Sequence, residues 1–125
     1  MLDLLKNENS TSGRIKAVNI AYQIDQPDDA IVNALIKRLN EDRSTNVRLS
    51  AMDALFHFVD DPQVVTALCE TLNVQADPIV QIAIIEGLTA FKEKGAIKYF
   101  EELINNDNVI DHVKDEAQMG IYKMM

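Results

Sequence analysis

His57, His112 and Cys69 are the residues of this chain best suited to nucleophilic or metal chemistry, so they set what catalysis it could support. A Ser or Cys nucleophile needs a base within reach, held in place by a third group. A zinc site wants three or four ligands converging on one point. Two histidines far apart in the chain and one cysteine meet neither demand. Carboxylates stand side by side at Asp28-Asp29 and Glu101-Glu102, but neighbours on a helix diverge in direction, which suits solvated faces better than acid–base work. No glycine-rich phosphate loop is present. We therefore expect no catalytic residue, no metal and no cofactor, with His57 a partly exposed surface residue and Cys69 at the border of a helix.

The elements that would carry these side chains follow from a repeat. Ser10, Thr11, Arg14 and Ala17 match Ser44, Thr45, Arg48 and Ala51 at an offset of 34. Val47, Ala51, Leu55 and Phe58 match Val80, Ile84, Leu88 and Phe91 at 33, and these match Val113, Ala117, Ile121 and Met124 at 33 again. A fixed period of this length marks a solenoid, each unit burying its apolar face against its neighbours. Within a unit the apolar spacing is helical, so the predicted architecture is all-α: an α-α superhelix, a solenoid of stacked helical hairpins. The predicted repeats span 10–43, 44–76 and 77–107, with half-repeats at 1–9 and 108–125, in one domain. Both ends read as cut, and the expectation is a piece of a longer protein.

Composition supports a folded helical chain. Hydrophobic residues make up 47% of it, enough for a core, and four glycines with three prolines argue against low complexity. The formal charge is −8, of which residues 44–125 hold −7. Such acidity repels phosphate backbones, so nucleic acid is not an expected partner. The longest apolar run, Ile82 to Ile85, is far short of a membrane span, and the stretch MLDLLKNENS has Asp3 where a signal peptide wants a basic start and lacks a long apolar run. The lone cysteine admits a reducing compartment. A cytoplasmic protein, or the cytoplasm-facing part of a larger and membrane-anchored one, is expected, with no membrane contact by this segment and the oligomeric state open.

Three columns across the repeats have structural readings. Ser10, Ser44 and Asp77 are suited to cap first helices, and Pro78 follows Asp77. Gln26-Pro27 is expected to open a second helix as Asp61-Pro62 does. Asn40, Asn73 and Asn105 follow a terminal Leu or Ile, where a left-handed asparagine would close the helix. Ala54, Gly87 and Gly120 put small side chains on the apolar face of first helices, which a close helix approach would explain, because glycine costs about 1 kcal/mol against alanine inside a helix.

The strings VRLSAMDAL, from Val47 to Leu55, and DPIVQIAIIEGL, from Asp77 to Leu88, resemble HEAT repeats, in particular the short bacterial, phycobilisome-lyase-like kind. The likeness runs from about Ser10 to Met125. It departs from the pattern where Arg14 and Arg48 give way to Gln81 and Lys114, and where Ile20 stands in the small-residue column. The layout is also similar to HEAT regions at the C-terminal end of membrane-anchored, anti-sigma-like bacterial regulators. What the resemblance implies is a non-catalytic scaffold or regulatory domain that holds a protein partner on its second helices. The alternative it implies is an assisting part of an enzyme such as a bilin lyase; nucleic-acid binding ranks behind both. The polar positions opposite the apolar stripe of each second helix are Asn33 and Lys37, Thr66 and Glu70, and Lys98 and Glu102, and these are the candidate partner-binding residues.

Overall fold

The computed structural model describes every residue from Met1 to Met125 and is helical throughout, with no strand. In chain order the helices are α1 (Leu2–Leu5), α2 (Thr11–Tyr22), α3 (Asp29–Glu41), α4 (Thr45–His57), α5 (Pro62–Val74), α6 (Pro78–Ala90), α7 (Ile97–Ile104) and α8 (Asp111–Met124). A single 3-10 turn, Lys94–Ala96, leads into α7. Two compact units divide within α5, at Met1–Ala67 and Leu68–Met125.

In the first unit, α2 packs on α4, α3 packs on α4, and α1 lies against α2 and α3. In the second, α6 and α7 both pack on α8. First helices thus stack on first helices, as the repeat register requires. Ala17, Ala51, Leu55, Val80, Ile84, Leu88, Val113 and Ala117 are fully buried. Each fully buried Leu or Ile contributes roughly 1.5–3 kcal/mol relative to exposure. Phe91 leaves the column: it caps the end of α6 and is 52% exposed, whereas Phe58 and Met124 in the same register are buried.

Helix starts follow the capping column. Ser10 Oγ accepts from Gly13 N at 3.0 Å, Ser44 Oγ from Val47 N at 3.4 Å, and Asp77 Oδ1 from Ile79 N at 3.0 Å with Pro78 as the first helical residue. Each satisfies a backbone donor that the helix itself leaves open. One start differs from expectation. Pro27 lies outside α3, and Asp28 is the cap, accepting from Ile31 N at 2.9 Å. An acidic side chain that reaches a free N–H fixes the boundary more firmly than a proline that merely tolerates it.

Helix ends correct the asparagine column. Asn40 and Asn73 lie inside α3 and α5, and Asn105 closes α7 at φ −89°. The only non-glycine residue with positive φ is Lys92, at 55°. There Glu93 N donates to Leu88 O and Lys92 N to Thr89 O, both at 3.0 Å, a closure that requires one left-handed residue.

The small-residue column has a packing reason at Gly120. A Cβ there would lie 2.7 Å from Thr89 Oγ1 and 2.8 Å from Phe100 Cε2. Neither neighbour gives way easily, since Thr89 Oγ1 is bonded to Ile85 O at 2.7 Å and Phe100 is fully buried. Ile20 holds the same position on α2 and is 44% exposed.

Candidate functional site

The second helices α3, α5 and α7 bury one stripe and expose the other. Leu35 and Leu39 on α3, Val64, Leu68 and Leu72 on α5, and Phe100 and Leu103 on α7 are fully buried. Four-residue spacing then sets Asn33 and Lys37, Thr66 and Glu70, and Lys98 and Glu102 on the opposite faces, and all six are exposed. Thr66 Oγ1 donates back to Pro62 O at 3.0 Å, so its hydroxyl hydrogen is committed to its own helix. Lys98 Nζ lies 5.2 Å from the centre of the Tyr99 ring. Glu102 Oε2 accepts from Asn73 Nδ2 at 2.7 Å, joining the exposed faces of α5 and α7 within the second unit. Neither Glu70 nor Glu102 takes part in an ion pair. The side chains of Asn33 and Lys37 form no hydrogen bond or ion pair; the positive field of Lys37 reaches Glu8.

The strongest polar cluster escaped the sequence reading. Arg14, fully buried on α2, donates from Nε to Asp42 Oδ2 at 2.6 Å and from Nη1 to Asn7 O at 2.7 Å. Arg38 Nη1 reaches the same Asp42 oxygen at 3.1 Å, and its Nη2 reaches Glu8 Oε1 at 2.7 Å. Ser44 N donates to Asp42 Oδ1 at 2.9 Å, and Arg48 Nε donates to Asp42 O. Burial alone would push the Asp42 carboxyl up, but the bonds from Arg14, Ser44 and Arg38 hold it below its ordinary value. The bond to Arg38 holds Glu8 low as well. In the second unit, Gln81 Nε2 donates to Leu72 O at 3.1 Å. The signal was the Arg14, Arg48 and Gln81 column: each side chain leaves a first helix to satisfy a carbonyl at the end of the segment before it. This cluster joins turns and is no ligand site, for its groups are spent on one another.

The residues with chemical potential are placed apart. His57 is exposed and stacked on Tyr22, ring centroids 4.6 Å apart. Cys69 is buried at the inner edge of α5, and burial pushes its thiol up to about 11, which disfavours the reactive thiolate. No three His, Cys, Asp or Glu side chains converge well enough to hold a metal ion. No helix is long and apolar enough to cross a membrane.

Paired helices that stack first helix on first helix, with polar outer faces on the second helices, define the α-solenoid class of fold. A family profile described as HEAT repeats matches residues 1–88 and again residues 32–121. The chain belongs to the HEAT-repeat family. No curated protein and no solved structure matches it.

Proposed function

We propose that this chain is a non-catalytic scaffold or regulatory domain that holds a protein partner along the exposed faces of its second helices. HEAT repeats commonly serve as protein-interaction scaffolds, and the acidity of residues 44–125 favours a basic or neutral protein surface over a phosphate backbone. The observation that carries the reading is the Asn73–Glu102 bond, which joins two second-helix faces into one polar surface beside Glu70. Asn33, Lys37, Thr66 and Lys98 extend the same face of their helices. In this reading the repeats at 10–43, 44–76 and 77–107, with the half-repeats at 1–9 and 108–125, act as one domain facing the cytoplasm.

Reversing two charges tests it. Glu70→Lys with Glu102→Lys leaves the buried stripes untouched and should weaken a purified partner by about tenfold, since each lost exposed contact contributes up to about 1 kcal/mol. Titration calorimetry reads the affinity. An unaltered value would remove this surface from the binding site.

A further inference from the structure

In the first unit, the turn between α2 and α3 and the turn between α4 and α5 border an open cavity of about 420 Å³. Rings and carboxylates share its lining: Pro27, His57 and Phe58 together with Asp25, Asp60 and Asp61. The His57 ring stacks on Tyr22 at 25° between planes and meets Phe58 edge-on, centroids 5.2 Å apart. Asp61 gives one oxygen to Gln63 N at 2.9 Å, while Asp25 and Asp60 form no hydrogen bond or ion pair.

We propose that this cavity binds an arginine side chain presented by a basic protein segment. A guanidinium is flat and weakly hydrated, so it stacks on a ring while its edge donates to carboxylates from two directions. The cavity offers both elements, flat rings and uncommitted carboxylates on separate turns. Its volume admits one or two side chains and no folded partner. A phosphate would meet three negative groups, and a compact ammonium gains less from the rings. The equivalent turn of the third repeat keeps a carboxylate, Glu93 in place of Asp60, but carries Ala90 in place of His57 and Lys94 and Gly95 in place of Asp61 and Pro62, so the combination of ring and paired carboxylates belongs to the turns of the first unit. The site is separate from the second-helix faces and uses other residues.

The test is a nitrogen–proton correlation titration of the full chain with acetyl-Gly-Arg-Gly-Arg-Gly-amide, alongside its citrulline counterpart, its lysine counterpart and spermidine. The expected result is saturable shifts at residues 22–28 and 57–61, with arginine bound at least about fivefold tighter than the other three. Asp25→Asn with Asp60→Asn, and separately His57→Ala, should each weaken the arginine peptide about fivefold or more. All three positions are exposed, and circular dichroism verifies the fold. Equal binding of the lysine peptide, citrulline peptide or spermidine would overturn the proposal. So would shifts scattered without saturation, or indifference to His57→Ala. Glu70→Lys with Glu102→Lys should leave this titration unchanged, which separates failure here from failure of the second-helix reading.

Discussion

At Asp42 one carboxylate, 1% exposed, accepts from two guanidinium groups and a backbone N–H. Removing one member of a buried ion pair strands the others, so Asp42→Ala should cost about 3 kcal/mol in urea unfolding. The same residue gives the chain a pH dependence. Its folded pKa lies below its ordinary 3.8, so the unfolded chain binds the proton more readily. Its stabilisation is therefore complete well above pH 3.8 and fades as the pH falls below that value through the folded pKa. Glu8, lowered from 4.5, contributes with the same sign. Melting temperature followed from neutral pH downward should decline less steeply in Asp42→Ala than in the parent; parallel curves would refute the assignment. Lys92 makes the opposite case. A left-handed lysine is strained where glycine is not, so Lys92→Gly should raise stability by about 0.5–1 kcal/mol, provided the closure onto Leu88 O is retained.

Two glycines in the second unit separate packing from propensity at the level of elements. Gly120→Ala places a methyl against Thr89 and Phe100 and should destabilise by about 1–3 kcal/mol despite alanine's better helix propensity. Gly95→Ala meets nothing within 4 Å and should be neutral or slightly stabilising. Thermal unfolding of the pair checks this; equal melting temperatures would remove the close-approach account. Helix starts were legible because Ser10, Ser44 and Asp77 recur one period apart and act locally, on N–H groups two or three residues ahead. Helix ends were less so. Asparagine at a helix end is compatible with several closures, and the local bonds chose Lys92 as the left-handed residue. At α3, Pro27 suggested a start two residues before the one Asp28 fixes.

Across the whole molecule, the apolar columns made the all-α HEAT class readable, since a 33- or 34-residue recurrence of Val, Ala and Leu has few other physical meanings. The exposed faces of α3, α5 and α7 followed from the same register, by subtraction of the buried stripe. The Glu8–Arg38–Asp42–Arg14 cluster did not, because its members meet only once α1, α2 and α3 are packed, and buried arginines carry no apolar signal. The cavity lined by His57 and Asp25 was missed for a related reason: it joins two turns a full period apart. What most directly tests the binding account is site-specific photo-crosslinking in cells, with benzoylphenylalanine at Glu70 or Glu102 on the second helices and, for contrast, at the exposed Asp53 or Glu86 on the first. The account predicts a discrete adduct from Glu70 and Glu102 and none from Asp53 and Glu86. Adducts confined to Asp53 and Glu86, or absent from all four positions, would contradict it.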